Sequence, residues 1–144
     1  MQHSAASRLV SQLGLNLGIQ GLQLDQNGLC TLLVDQRHLV HIALYKQHYL
    51  MLSCGLKPSP EHDHFLFPAL LRANQHQGAE GVVFCLDEQQ QIQAQLNLAL
   101  SLCDADKLMQ ALETLLAELE RWETWSSPAQ VSTSQHDAWR YQNV

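Results

Sequence analysis

Apolar residues recur along this chain in two rhythms, and each rhythm predicts an element. From Ser7 to Gly18, Leu9, Val10, Leu13 and Leu17 fall three and four residues apart, the spacing of one face of an amphipathic helix. Gly14 is a cost inside that helix, and Gly18 is a natural stop because a glycine adopts the left-handed backbone that ends helices. The next stretch, LQLDQNGLCTLLVDQRHLVHIALYKQHYLMLSCGL, breaks into short apolar segments at Asp25 to Gly28, Asp35 to His38 and Lys46 to His48. That punctuation predicts an antiparallel meander of three strands. The Asn-Gly pair of DQNG favours a tight turn; the acidic ligands and closing Glu of a calcium loop are missing.

Ser59 and Pro60 suit a helix start, and Phe65, Leu66, Ala69, Leu70 and Ala73 supply an apolar face up to about His76. Pro68 removes a backbone donor, so the helix is expected to kink there or to begin in earnest there. After Gly78 and Gly81 come VVFCLD, a turn over Glu88 to Gln90, and IQAQLNLAL, whose strict alternation is that of a half-buried strand. Asp104 then caps a last helix in which Leu108, Leu112, Leu115, Leu119 and Trp122 recur at helical steps. The predicted class is α+β, a twisted antiparallel sheet with three helices in the order α-β-β-β-α-β-β-α. Residues 1–125 form one domain; residues 126–144 are polar and without period, which predicts a flexible tail, although Trp139 and Tyr141 are unusual in an idle segment.

Composition narrows the function classes. At 144 residues, 46% hydrophobic and 15% charged, the chain suits one domain with a core of its own and contains no run long enough for a membrane span. A net charge of −6 with eight scattered Lys and Arg disfavours nucleic acid and anionic membranes as partners. The N-terminus lacks the layout of a signal peptide, which makes the cytoplasm the expected location.

No catalytic residue and no metal or cofactor site is indicated. Cys30, Cys54, Cys85 and Cys103 are far apart and lie in apolar segments, where burial raises a thiol pKa and makes it a poor nucleophile. Glu61, His62, Asp63 and His64 suit a solvated helix start better than a metal, since His62 and His64 would diverge on a helix. There is no G-x-S-x-G and no glycine-rich phosphate loop.

The meander carries more apolar residues than one core face requires. Cys30, Leu32, Val34, Val40, Ile42, Leu44, Leu50, Leu52 and Cys54 share one face; Leu29, Leu33, Leu39, Ala43, Tyr45, Tyr49 and Met51 lie on the other, with Thr31, His41 and Ser53. Either three helices cover both faces, or an apolar patch remains for a protein partner.

The order of elements and several local strings resemble the class I type III secretion chaperones, the Tir chaperone (CesT-like) family, from about Arg8 to Trp125. The carriers are LVSQLGLNLGIQGLQLDQNGLCTLLVD, then LLRANQHQG, then VVFCLDEQQQIQAQLNLALSLCDADKLMQALETLLAELERW. Cys85 in place of a Gly, Ala79-Glu80 in place of Thr-Gly, and Pro68 depart from the family pattern.

The resemblance implies a cytoplasmic bacterial homodimer that holds an extended N-terminal effector segment without ATP. The secretion ATPase is a further candidate partner. It also implies a dimer contact through the middle helix and the following strand, with Leu70, Val82, Phe84 and Leu86 as its expected residues and Leu70 and Phe84 at its centre. Client contacts are expected from Leu29, Leu33, Tyr45 and Met51, and from Leu9 and Leu13 unless these belong to the core. The alternative class is a dimeric adaptor or regulator that sequesters a protein partner outside secretion; an enzyme with a thiol or metal site is a third.

Overall fold

A computed structural model describes residues 2–57, 63–75, 81–125 and 139–144. Its elements are α1 (Gln2–Leu17), β1 (Leu29–Val34), β2 (His38–Tyr45), β3 (Tyr49–Gly55), α2 (Asp63–Asn74), β4 (Val83–Leu86), β5 (Ile92–Ala99), α3 (Ala105–Glu123) and β6 (Tyr141–Asn143). One antiparallel sheet runs in the order β4-β5-β3-β2-β1-β6. The α+β class and the predicted order hold, with β6 added at the end.

Local chemistry explains the boundaries. The end of α1 is a Schellman motif: Gly18, at φ 73°, donates from its N–H to the Leu15 carbonyl, and the Ile19 N–H donates to the Gly14 carbonyl. Gly14 is a close-approach position, because a Cβ there would lie 2.7 Å from the Leu22 Cβ. Asp25 builds the turn before β1 by accepting from the N–H groups of Asn27 and Leu29, and Asp87 does the same for Gln89 and Gln91 before β5. Both turns between meander strands hold consecutive residues at positive φ, Asp35 and Gln36 in one and Lys46 and Gln47 in the other. Asp104 caps α3 by accepting from the Lys107 N–H at 2.8 Å. The α2 helix passes through Pro68 without ending; its expected start at Ser59 and Pro60 and its expected end near His76 lie outside the described residues.

The helices pack on one side of the sheet and along one edge. Helix α3 lies on β3 and β5, α1 packs against α3, and α2 runs beside β4. The core combines Val10 and Leu13 of α1, Leu32, Val40, Ile42, Leu50 and Leu52 of the meander, and Leu108, Leu112, Leu115 and Leu119 of α3. Leu13 is wholly buried, so it belongs to the core and cannot offer a client contact in this fold.

Candidate functional site

Period-two alternation sends every second meander residue away from α1 and α3, and among the described residues no element covers that second face. Leu29, Leu39, Tyr45 and Tyr49 are exposed there, while Leu33, Ala43 and Met51 are half-buried by their neighbours. Antiparallel pairing sets them in rows across the strands: Leu33 opposite Leu39, Leu29 opposite Ala43 and Ala43 opposite Met51, Tyr45 opposite Tyr49. The apolar character fades toward β5, where Met51 faces Asn97 and Ser53 faces Gln95. At the centre of the face the Thr31 hydroxyl and the His41 Nδ1 lie 3.1 Å apart in a hydrogen bond.

Leu29, Leu33, Tyr45 and Met51 are thus brought together on one open surface. Leu9 is not among them: it is half-buried on α1, on the helical side. Leu39 and Tyr49 belong to the same surface by alternation alone.

A second apolar surface lies between α2 and β4. The sequence expectation placed Leu70, Val82 and Phe84 on it, but all three are buried within the protomer: Phe84 meets Trp122 edge to face at 5.8 Å, and Trp122 in turn stacks on Trp125. Alternation along β4 turns Phe84 inward toward α3, and the helical period turns Leu66 and Leu70 inward with it. Leu86 is 52% exposed, and so are Phe65, Phe67 and Leu71 to similar or greater degree. Phe67, Leu71, Cys85 and Leu86 line the mouth of an apolar cavity of 250 Å³ floored by Leu70, Phe84 and Ile92. Phe65, expected on the apolar face of α2 with Leu66 and Leu70, instead points outward, because the buried stripe runs through Leu66 and Leu70 and the preceding position falls off it.

Asn74, the last residue of α2, closes the outer edge of β4. Its Nδ2 donates to the Phe84 carbonyl at 2.7 Å, and its Oδ1 accepts from the Phe84 N–H at 2.8 Å. One amide side chain thereby replaces the neighbouring strand that this edge lacks. At the opposite edge, β6 pairs with β1, where a flexible tail was expected. Among the described residues of this segment, Trp139 and Tyr141 pack against the core.

Burial pushes the Cys30 thiol up to about 11 and the Cys54 thiol up to about 12, each aided by a nearby carboxylate, Asp25 for the first and Glu123 for the second. The pKa values of Cys85 and Cys103 are also raised, first by burial and then by Asp87 and Asp104. These are the opposite of the shift that activates a nucleophile. His38 is buried, and desolvation lowers its pKa; Glu123, whose Oε1 lies 3.7 Å from the His38 Nε2 and 3.1 Å from an Arg37 nitrogen, pulls the other way. Buried Glu118 accepts from the Trp122 Nε1 and from Arg121, both at 3.2 Å, which ties α3 to itself. Among the described residues no group of three His, Cys, Asp or Glu is placed to hold a metal; Glu61 and His62 lie outside them, and the side chains of Asp63 and His64 do too.

Both surfaces are apolar and exposed, the physical condition for a protein contact. The model of the Tir chaperone protein (CesT) family matches residues 8–123. A search of curated proteins finds no significant match. Among solved structures, a chain of the ExsC-ExsE complex superposes with a TM-score of 0.76 at 22% identity, covering 89% of this chain and 98% of that one. A chain of the HopA1-SchA chaperone-effector complex gives 0.73 at 19% identity over 85% of this chain and 96% of that one. A chain of the structure of the Yersinia pestis type III secretion chaperone SycH in complex with a stable fragment of YscM2 gives 0.69 at 17% identity, covering 81% of this chain and 98% of that one. These likenesses establish a shared fold.

Proposed function

Given that the chain belongs to the Tir chaperone protein (CesT) family, we propose that it is a type III secretion chaperone that holds the extended N-terminal segment of a secreted effector, as a homodimer and without ATP, in the bacterial cytoplasm. The observation that carries this reading is the open apolar face of the meander. Leu29, Leu33, Leu39, Tyr45, Tyr49 and Met51 form a patch that a lone protein would be expected to cover with polar groups. An extended polypeptide is the occupant that suits it. Shallow rows of apolar side chains accept alternate residues of a strand, and each Å² removed from water contributes roughly 25 cal/mol against the cost of ordering the client.

The dimer contact follows from the second surface. Phe67, Leu71 and Leu86 protrude beside the apolar cavity, and an isologous contact buries such a patch against its own copy. Phe65 lies on the same helix and is 64% exposed. Catalysis has no part in this reading: the thiols are raised in pKa rather than activated, and His38 and Glu118 serve internal contacts. No helix among the described residues is long and apolar enough to cross a membrane.

The test is capture from a native lysate followed by mass spectrometry. The expected prey is a secreted protein whose N-terminal fragment alone rebinds the purified chain. A prey that is not secreted and binds through a folded domain would favour the adaptor reading instead.

A further inference from the structure

A client that joins a sheet needs a free edge, and this sheet has two edges that are both held from within. At β4 the holder among the described residues is the side chain of Asn74. At β1 it is a peptide. Residues Tyr141, Gln142 and Asn143 pair with Val34, Leu33 and Leu32, and the ladder continues where the Asp35 N–H donates to the Arg140 carbonyl and the Arg140 N–H donates to the Asp35 carboxylate.

Alternation sorts the side chains of this peptide. Tyr141 stands opposite Val34 and so shares the helical side of the sheet, and Trp139 lies two residues before it in the direction of the same side. Both are half-buried against the core. Trp139 meets His38 edge to face at 6.4 Å and lines a surface groove together with Thr114, Ala117 and Glu118 of α3. Burial raises the Tyr141 hydroxyl to about 12, helped by Glu113 and Asp35, so it stays protonated. The Asn143 Nδ2 donates to the Gln20 carbonyl at 3.4 Å. Arg140 and Gln142, between the aromatic residues and after them, are exposed.

We infer that the β1 edge and the two aromatic seats beside it are the strand-addition site for a client, and that residues 139–143 occupy it as a built-in substitute. The client segment that fits is extended and carries two large apolar side chains two residues apart, aromatic ones filling the seats best. This inference rests on the proposed chaperone reading. The substitute is built to yield: its strand has three residues where those of the meander have six to eight, and the described segment holds on through one edge, two half-buried aromatic side chains and the long Asn143 contact to Gln20. A client adding at this edge also runs beside Leu33 and the open face, so displacing the tail joins the two binding features.

The probe is a synthetic peptide of this chain's own residues 136–144, HDAWRYQNV, labelled with a fluorophore, titrated into the full chain and into the full-length variant Gln142→Pro. Proline cannot donate into the ladder, so the tethered strand is released while the seats remain intact. If the tail fills the site about nine-tenths of the time, the peptide binds the variant roughly tenfold more tightly than wild type. Equal affinity for both, or no binding to either, overturns the inference.

A second measurement needs no variant. The same peptide carrying Trp139→Phe, added in excess to the wild-type chain, should shift tryptophan emission to longer wavelength as the chain's own Trp139 is expelled; an unchanged spectrum is contrary to displacement. Light scattering should give one mass for wild type and Gln142→Pro, and a lower mass for the variant would mean that the tail joins two copies rather than capping its own. The peptide assay needs no client, so its failure leaves the open-face reading standing, and the absence of an effector partner leaves the assay readable.

Discussion

Replacing Asn74 by Ala removes two hydrogen bonds with one substitution and touches no core side chain. Both bonds are short, 2.7 Å from Nδ2 to the Phe84 carbonyl and 2.8 Å from the Phe84 N–H to Oδ1, and both are part-buried between α2 and β4. A buried backbone group left without a partner costs roughly 1–3 kcal/mol, and water that reaches this partly exposed edge recovers some of it. The expected loss for Asn74→Ala is therefore about 2 kcal/mol, a fall in Tm of roughly 6–10 °C for a domain of this size. Asn74→Asp separates the two bonds. Its carboxylate still accepts from the Phe84 N–H but turns an oxygen toward the Phe84 carbonyl, so it should be at least as destabilising at neutral pH. Compared with wild type at equal pH, its deficit should shrink toward pH 4, where a protonated carboxyl regains a donor. Urea unfolding at fixed protein concentration reads all three proteins, and an unchanged m-value confirms that the folded state is intact. An Asn74→Ala variant within about 0.5 kcal/mol of wild type, the range of ordinary surface substitutions, would refute the role of Asn74 as the closure of this edge.

Gly14→Ala should cost about 1–3 kcal/mol by urea unfolding, the scale of overpacking, because the added Cβ falls 2.7 Å from the Leu22 Cβ. Leu32→Glu should be insoluble or unfolded, since Leu32 is fully buried, while Leu33→Glu and Met51→Glu on the other face keep a Tm near that of wild type and lose client binding. Leu71→Asp and Leu86→Asp should give folded monomers by light scattering, and Phe84→Asp, whose ring packs on Trp122, an unfolded chain. Burial lowers the His38 pKa, opposed by Glu123, Asp35 and Glu120 and aided by Arg37; the unfolded chain therefore takes up a proton first as pH falls through about 6.5. Stability contributed by neutral His38 is accordingly present above that pH and is lost on acidification toward the folded pKa, and His38→Gln should flatten this slope in urea titrations between pH 7 and 5.

The elements were legible because the sequence repeats their periods. Among the described residues, five of the six strands and the three α-helices follow from spacing, turn chemistry and caps such as Asp104 and Gly18. The two faces of the meander could be written down, but which one stayed open was decided by where α1 and α3 pack, a property of no single segment. The inward turn of Phe84 is a similar case: a four-residue strand has a phase of burial that local pattern leaves undetermined, and packing on Trp122 fixes it. Leu13 followed the helical stripe into the core, as its spacing with Val10 allowed. Gly14 looked like a defect because its reason, the approach of Leu22, lies beyond the helix. Strand β6 escaped notice because edge pairing satisfies backbone groups, which no side-chain period records; Trp139 and Tyr141 were its only trace.

The central claim is that a folded, ATP-free chain holds an extended client on the open face of the meander. Titration calorimetry answers it most directly, with the N-terminal fragment of the captured secreted protein as ligand, ATP-free buffer, and wild type compared with Leu33→Glu and Met51→Glu. The account predicts tight binding to wild type with a negative heat-capacity change from apolar burial, and at least a hundredfold weaker binding to variants whose Tm is unchanged. Undiminished binding to both variants, or binding that appears only when ATP is added, would contradict it.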